Sequence, residues 1–325
     1  MVALAGSDAT RTKTLARESG IALAFGDWTE LVEHPDVDAV TISIPPELQP
    51  SIAIRALSLG KPVFAEKPMA ANLAGADGMV AAALSSGRAN MIDFNFSGLP
   101  VWRKAKELLN QGAIGRLRHV AVSWHVENYV TRMRIKNWKS SGARGGGALG
   151  NFVSHCFHYL EWMCGPIVRL SAHLPGLPDD ADLETGAVVR LALQSGAVGS
   201  IVMSSASYNG SGHRLEVYGE DGTLSLINPT RDYLRGFELR LARRPSDLSW
   251  IEVDDPLDRD FPQDGRIAPV ARLAAHFLDA IEGRTQAVPA FAEGRRVQVL
   301  LDAARSSDKS GTWVDIRSEH SGAKR

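Results

Sequence analysis

Two short segments place polar side chains where apolar runs of the chain end. Ser43-Ile44-Pro45 closes one run, and Glu66-Lys67-Pro68 closes the next one. The carboxyl ends of parallel strands are where doubly wound folds bind their ligands. A lysine at such an end can hydrogen-bond a hydroxyl or carbonyl oxygen and stabilise negative charge as a hydride leaves or arrives. Lys67 could equally be a solvated lysine before a turn proline, and this segment alone does not decide between the two.

A second group of polar side chains recurs at helical spacing after the glycine triplet 145–147. Asn151, His155, His158 and Trp162 stand at i, i+4, i+7 and i+11, which predicts that they share one face of a helix. The opposite, core-facing stripe consists of Phe152, Cys156, Tyr159, Leu160 and Met163. Two imidazoles and an amide on one face indicate either a buried polar seam or the wall of an active site.

Metal and disulfide chemistry are not expected. The spacing of His155, His158 and the two cysteines, Cys156 and Cys164, matches no common set of metal ligands. Both cysteines lie in an apolar helical stretch, which favours reduced, buried thiols.

The elements that must position these residues alternate between strand and helix at the start of the chain. Short apolar runs occupy 2–5, 39–44, 62–65 and 89–93, and helical stretches begin near residues 10, 49 and 72. This alternation predicts βαβ units and a parallel sheet. We place the first domain at 1–96.

The sequence pattern changes further along the chain, where longer β-rich runs are separated by turn residues. These runs are 117–126, 167–173, 186–193, 198–205, 214–218 and 236–241. They predict a large open, mostly antiparallel sheet. A helix near 100–109 precedes the sheet, and helices near 269–281 and 293–305 follow it. We place the second domain at 97–317 and a polar tail at 318–325.

Bulk composition is that of an ordinary globular protein. The chain has 325 residues, 44% of them hydrophobic and 22% charged, with a formal net charge of -1. Without a basic excess, nucleic acid and acidic lipid are not expected as partners. No run approaches the length of a membrane span, and residues 1–6 do not resemble a signal peptide, so the cytoplasm is the expected location.

These motifs together resemble the Gfo/Idh/MocA oxidoreductases. The resemblance rests on Glu66-Lys67-Pro68, the glycine triplet and a histidine helix, and it extends over nearly the whole chain. It implies an α/β protein with a Rossmann-type parallel sheet and a C-terminal α+β domain, whose open sheet joins copies of the chain into a dimer or tetramer. It also implies hydride transfer between NAD or NADP and a sugar, cyclitol or related polyol.

The resemblance also assigns roles to individual residues. Lys67 matches the family's catalytic lysine and His155 its proton-transferring histidine, a role that suits an imidazole pKa of about 6.5. Asn151 and His158 stand where aspartates are frequent. We expect Asn151 to orient His155 and to tolerate replacement by aspartate, and we expect His158 to contact the substrate. Phe94, Asn95 and Trp138 correspond to the wall around substrate and nicotinamide.

The family's phosphate loop, G-x-G-x-x-G between the first strand and the first helix, has no counterpart at the start of this chain. Gly145, Gly147 and Gly150 satisfy the pattern without a preceding strand, so we interpret that match as false. The segment 2–5 instead resembles the family's second strand, as if the first βα unit were missing from the sheet interior. Such a gap predicts two exposed strand edges.

The end of that strand bears on cofactor choice. Gly6 stands where members that prefer NAD usually carry an acid, and Ser7 and Arg11 can bind a 2′-phosphate, so NADP is favoured and NAD remains an alternative. The competing functional hypotheses are a catalytically silent ligand-binding regulator of the same fold and a degenerate paralogue that serves only as an oligomer subunit.

Overall fold

The computed structural model describes residues 1–316, apart from the side chains of residues 181 and 182. The predicted polar tail 318–325 lies outside the described residues. The described residues form two compact units, one made of 1–93 with 274–295 and one made of 94–273 with 296–316.

The first unit contains short parallel strands that alternate with helices. In chain order its elements are β1 (Ala3–Ala5), α1 (Ala9–Glu18), β2 (Leu23–Phe25), α2 (Trp28–Glu33), β3 (Val40–Ile42), α3 (Gln49–Ser58), β4 (Val63–Ala65), α4 (Leu73–Ser86) and β5 (Asn90–Ile92). Side chains cap three of the helices: Asp8 accepts the Arg11 N–H, Asp27 the Thr29 N–H and Asn72 the Gly75 N–H. Gly87 ends α4 with a φ of 62°, a conformation that glycine adopts without strain.

The strands of this unit belong to two separate parallel sheets. β1 pairs with β2, and β3, β4 and β5 form a three-stranded sheet in that order. Within residues 1–316, neither β1 nor β3 has a second neighbour. β2 and β5 likewise have one strand neighbour each, so the two exposed edges expected from a missing first βα unit stay a prediction.

The second unit is built on one large sheet with helices packed against it. Its elements are α5 (Pro100–Asn110), β6 (Leu117–His125), α6 (Tyr129–Arg132), α7 (Ser154–Cys164), β7 (Ile167–His173), β8 (Gly176–Leu177), β9 (Asp180–Glu184), β10 (Gly186–Leu193), β11 (Val198–Ser204), β12 (Gly212–Gly219), β13 (Gly222–Asn228), β14 (Glu238–Arg243), β15 (Ser249–Ile251), α8 (Pro256–Arg259), α9 (Ile267–Ile281), α10 (Phe291–Ser310) and β16 (Val314–Asp315). The helices α9 and α10 contribute residues to both units.

The large sheet has nine strands in the order β15-β14-β13-β12-β6-β11-β10-β7-β16. All its pairs are antiparallel except β6 with β11, which run parallel. The sheet is therefore mixed. On β6 the side chains of Val120, Val122 and Trp124 are buried and the residues between them are partly exposed, so one face of the strand packs on the core.

The segment 274–295, which the sequence analysis places in the second domain, packs with the first unit. The ring of Phe277 lies 5.7 Å from that of Phe64. The N–H of Ile92 donates to the Pro289 carbonyl at 2.9 Å, so this segment extends the hydrogen bonding of β5. These contacts are between residues distant in the chain, and no local pattern announces them. No helix within residues 1–316 is long and apolar enough to cross a membrane.

Candidate active site

Polar residues collect at the carboxyl edge of the three-stranded sheet. Ser43, Ile44 and Pro45 follow β3, Glu66 and Lys67 follow β4, and Asp93 follows β5. Because the three strands are parallel and paired in register, these residues leave the sheet at the same edge. Gly6 and Ser7 follow β1 in the separate two-stranded sheet.

A buried glutamine holds the Glu66-Lys67-Pro68 turn in place. The Nε2 atom of Gln49, in the first turn of α3, donates to the Glu66 carbonyl at 2.9 Å and to the Pro68 carbonyl at 2.8 Å. The Glu66 N–H donates to the Ile42 carbonyl at 2.9 Å, which extends the pairing of β4 with β3. Lys67 therefore follows a strand end that is fixed on two sides.

Asp93 adds a buried carboxyl to this edge. Its N–H donates to the Ala65 carbonyl at 2.9 Å, and the residue is only 5% exposed. Within the described part of the chain its Oδ1 atom has no hydrogen-bond partner. Burial, followed by the negative charge of Glu66, raises the pKa of Asp93 well above its ordinary value, and the positive charge of Lys67 offsets only part of the rise.

The turn from β1 into α1 has a capped helix N-terminus and two exposed donor side chains. Asp8 caps α1 through its Oδ1 atom, 3.0 Å from the Arg11 nitrogen, so a carboxylate already occupies this helix N-terminus. That disfavours a pyrophosphate there. The Ser7 hydroxyl and the Arg11 guanidinium are exposed, and Arg11 forms no ion pair within residues 1–316. These donors fit the ribose-phosphate end of a dinucleotide, and the turn is not a phosphate cradle.

In the second unit His155 lies within a cluster of aromatic rings. It is 1% exposed, and its ring centroid lies 5.1 Å from that of Phe96, 6.3 Å from Phe94 and 6.2 Å from Tyr233. Asn95 donates through Nδ2 to the Tyr233 hydroxyl at 2.9 Å, and its buried Oδ1 has no partner within residues 1–316. Buried polar atoms that are left unpaired in this way favour a ligand that pairs with them.

Trp124, at the end of β6, belongs to the same cluster. Its ring is stacked on that of His213 with a centroid separation of 4.0 Å. Its buried Nε1 donor has no partner in the described residues. Nε2 of His213 lies 3.0 Å from the Tyr159 hydroxyl, and burial lowers the pKa of His213 to about 3. The imidazole of His213 is therefore neutral at physiological pH.

His158 contributes to this region as a packing residue. Its imidazole stacks on Phe94 at 4.1 Å with an interplanar angle of 8°. Burial, with a smaller effect from Lys106, lowers the pKa of His158 to about 3. The neutral imidazole packs against the ring of Phe94. The contact between His158 and the substrate that the sequence analysis expects stays a prediction.

Burial does not distinguish the predicted polar face of the histidine helix from its predicted core face. Residues 154–160 of α7 are all buried, whichever side they face. A π-helical turn, Leu149–Val153, precedes α7 and changes the angular spacing between Asn151 and the residues that follow. Spacing counted at 3.6 residues per turn therefore does not hold across this junction.

Asn151 and Trp138 belong to the loop that enters this π turn. Nδ2 of Asn151 donates to the Lys139 carbonyl at 2.6 Å and to the Gly147 carbonyl at 2.8 Å. Trp138 is half-buried at the start of a 3₁₀ turn, and its carbonyl approaches Gly146 so closely that a Cβ there would collide with it. The Glu184 carboxylate accepts the Leu149 N–H at 2.8 Å and pairs with Arg305. The glycine triplet thus serves close packing of the loop.

A cavity of about 620 Å³ opens beyond the end of β6, lined in part by His125, Tyr129, Arg132, Tyr208 and Arg231. His125 and Gly212, which line it, are paired across β6 and β12, one position beyond the pair of Trp124 and His213. Sequence analysis identified none of these residues.

Sequence reasoning also missed Asp93, Trp124 and Tyr233. A carboxyl placed at the end of an apolar strand, as in Met91-Ile92-Asp93, was a usable signal for the first. Trp124 and Tyr233 carried no such signal, because they join the site through strand pairing and a loop of the large sheet.

Family models match both parts of the chain. Residues 1–94 match the oxidoreductase family with an NAD-binding Rossmann fold, and residues 102–225 match the GFO/IDH/MocA C-terminal domain. The first match begins at residue 1, so the absence of a first βα unit stays a prediction.

Comparison with individual proteins gives the same family. An uncharacterized oxidoreductase of Synechocystis sp. is 32% identical over 97% of this chain and 89% of its own length. Levoglucosan dehydrogenase of Pseudarthrobacter phenanthrenivorans is 25% identical over 93% of this chain and 85% of its own. A solved structure of levoglucosan dehydrogenase in complex with NADH has the same fold, with a TM-score of 0.86 at 22% identity over 97% of this chain and 90% of that one. The chain is an enzyme of the GFO/IDH/MocA family of NAD-binding oxidoreductases.

Proposed function

We propose that this enzyme transfers a hydride between NADP and a sugar, cyclitol or related polyol, or its carbonyl form, with NAD as the less favoured cofactor. The observation that carries the proposal is the Glu66-Lys67-Pro68 turn at the carboxyl edge of the parallel sheet, held by Gln49. A lysine held at this edge of an NAD-binding unit is suited to donate a hydrogen bond to an oxygen atom of a substrate.

The proposed substrate class is supported by the ring cluster of the second unit. The cluster combines aromatic faces with the Tyr233 hydroxyl and two buried polar atoms that have no partner within residues 1–316, Asn95 Oδ1 and Trp124 Nε1. An acceptor and a donor among aromatic rings suit a molecule with hydroxyl groups on a carbon ring. A relative at 25% identity is a levoglucosan dehydrogenase, which is consistent with such a molecule.

Each candidate site residue has a proposed role. Lys67 donates a hydrogen bond to the reacting oxygen and stabilises the negative charge that develops on it. His155 exchanges the proton of that oxygen, and its buried setting among rings excludes water. Phe94, Asn95 and His158 form the wall around the substrate, and Asn151 orients His155. The nicotinamide, when bound, supplies or accepts the hydride.

The proposed cofactor contacts lie mainly at the strand ends of the first unit. They are Gly6, Ser7, Arg11, Ser43, Ile44, Pro45, Glu66 and Lys67, with Trp138 from the second unit. The preference for NADP is supported by the exposed Ser7 hydroxyl and Arg11 guanidinium, which suit a 2′-phosphate. Asp8 is engaged as the cap of α1, which reduces its capacity to bind a ribose hydroxyl.

Turnover assays with a panel of sugars, sugar acids and cyclitols, followed by nicotinamide absorbance, test the proposal. Lys67→Ala and His155→Ala should each lower kcat/KM by about 10²- to 10⁴-fold, the usual cost of a lost proton-transfer group. Lys13→Ala and His119→Ala serve as matched controls and should retain activity. Near-wild-type rates in both site variants would contradict the assigned roles, and cofactor binding without any turnover would favour a silent binding protein.

The proposal includes self-association through the large sheet and a cytoplasmic location. Val188, Val198 and Val202 are between 37% and 53% exposed, and Val188 lies directly opposite Val202 on the paired strands β10 and β11. Exposed apolar side chains that lie side by side favour burial against another copy of the chain. Light scattering of wild type and Val202→Lys tests this, since the charged variant should form an assembly of lower molecular mass.

A further inference from the structure

Asp93 is a buried carboxyl group that the proposed chemistry does not use. It follows β5 directly, and its backbone N–H continues the ladder to the end of β4. The residue is 5% exposed, and its Oδ1 atom has no hydrogen-bond partner within residues 1–316. Isolated buried carboxylates are disfavoured, and perturbed carboxyl groups cluster at functional sites.

The charges that act on Asp93 come from the end of β4. They are the Glu66 carboxylate, which repels a second negative charge, and the Lys67 ammonium, which attracts it. The helix packed behind this edge presents Gln49, whose uncharged amide bonds the carbonyls of Glu66 and Pro68. Asp93 thus belongs to a group of three ionisable side chains, with two carboxyls beside one ammonium.

We propose that Asp93 is a positioning residue that acts through Lys67, by placing a buried carboxyl group beside the Lys67 side chain where β4 and β5 end together. This inference rests on the proposed role of Lys67 in catalysis. The buried Asp93 carboxyl keeps its proton at neutral pH, so Glu66 then carries the one negative charge within this group of three side chains. Loss of the Asp93 proton adds a second negative charge next to Lys67, which stabilises the ammonium just as alkaline conditions would remove its proton.

The consequence for catalysis is that carbonyl reduction continues over a wider range of pH. A lysine that donates a hydrogen bond to a carbonyl oxygen must keep its proton, so carbonyl reduction declines when the ammonium titrates. The Asp93 carboxylate shifts that decline to higher pH.

The decisive measurement is the titration of Lys67 in the full-length protein. Competitive acylation by acetic anhydride across a pH series, read by mass spectrometry of the peptide that contains Lys67, gives the pKa of its amine without any turnover. Asp93→Asn keeps the shape of the side chain and removes its charge. We expect the pKa of Lys67 to fall by about one unit in this variant, as for the loss of one nearby opposite charge.

Two further variants separate charge from structure. Asp93→Ala should lower the Lys67 pKa as Asp93→Asn does, because both lack the carboxylate. Asp38→Asn makes the same charge change at an exposed position before β3 and should leave Lys67 unchanged. An unaltered Lys67 pKa in both Asp93 variants would overturn the proposal, and so would an equal shift in Asp38→Asn.

Thermal melting gives a second readout. Because the folded protein keeps the Asp93 proton at pH values where the unfolded chain has lost it, the free energy of unfolding attributable to Asp93 falls as the pH rises above about 3.9. The melting temperature of Asp93→Asn should therefore exceed that of wild type. The difference should grow as the pH rises and disappear in acid. A difference independent of pH would contradict a proton held by Asp93.

Activity then distinguishes this inference from the proposed function. If the enzyme reduces a carbonyl substrate, the alkaline limb of kcat/KM should move to lower pH in Asp93→Asn by the same interval as the Lys67 titration. If no sugar or cyclitol is turned over, the proposed function fails while the acylation result still decides the role of Asp93. An alkaline limb that stays in place while the Lys67 pKa moves would reject the link to catalysis.

Discussion

The ring of Phe94 lies parallel to the imidazole of His158 at a centroid separation of 4.1 Å. Both rings belong to the second unit, and both residues are buried. Face-to-face packing on an uncharged imidazole fixes the orientation of Phe94, and the imidazole stays uncharged because it is buried.

We predict that His158 makes the protein sensitive to acid. Its folded pKa is about 3, whereas an unfolded histidine titrates near 6.5, so the unfolded chain binds the extra proton first as the pH falls. The free energy of unfolding should therefore fall between about pH 6.5 and pH 3. His158→Phe retains the stacking and should flatten this fall in urea titrations. His119→Phe is the control, and an identical slope in His158→Phe and wild type would contradict the prediction.

We predict that Gln49 supports the Lys67 turn through its donated hydrogen bonds. Gln49→Met keeps the volume of the side chain but removes both donors, which leaves two buried carbonyls without them. The free energy of unfolding should drop by about 1–3 kcal/mol, and kcat should drop with it. Gln111→Met, at the exposed end of α5, should change neither quantity. Unchanged stability and activity in Gln49→Met would show that the turn does not depend on Gln49.

We predict that aspartate is poorly tolerated at position 151, contrary to the expectation from the sequence. Asn151 donates to two carbonyls, and a carboxylate at that position can only accept. At pH 8 the melting temperature of Asn151→Asp should be lower than that of Asn151→Ala, because the new carboxylate would face the Lys139 and Gly147 carbonyls, which are also acceptors. The gap should narrow below about pH 4, where the carboxyl group is protonated. Wild-type melting of Asn151→Asp at pH 8 would contradict this.

We predict that Arg11 distinguishes the two cofactors. A charge-assisted contact to the 2′-phosphate contributes about 1.5–3 kcal/mol, so Arg11→Ala should weaken NADP binding by roughly 10- to 150-fold. NAD binding should be nearly unaffected. Calorimetry with both cofactors checks this, with Arg17→Ala on the same helix as control. Equal losses for NADP and NAD would reject a 2′-phosphate contact.

Much of the fold follows from local sequence patterns. Strands 167–173 and 186–193 are predicted with the bounds that the structure has, because apolar alternation and turn residues delimit them. The strand Leu23–Phe25 and the helix Trp28–Glu33 were missed, since three and six residues are too few to establish a period. The parallel pairing of β6 with β11 depends on long-range topology, which turn signals do not encode.

The candidate site was predictable where chemistry and chain position coincide. Lys67 and His155 stand out because a lysine at a strand end and a histidine helix are unusual arrangements. The position of Asn151 relative to His155 was not predictable because a π-helical turn shifts the spacing there, and nothing in Leu149-Gly150-Asn151 indicates such a turn. Trp124 and Tyr233 reach the site through packing alone, which a single sequence does not reveal.

The ring cluster around His155 also has an optical consequence. Phe96, Trp102, Trp124, Tyr159 and Tyr233 are held at fixed angles to one another within one unit. Aromatic side chains in a rigid asymmetric setting give near-ultraviolet circular dichroism, and that signal is lost when fixed packing is lost even if the helices remain. This band therefore provides a direct assay of whether a variant of the second unit keeps its tertiary structure.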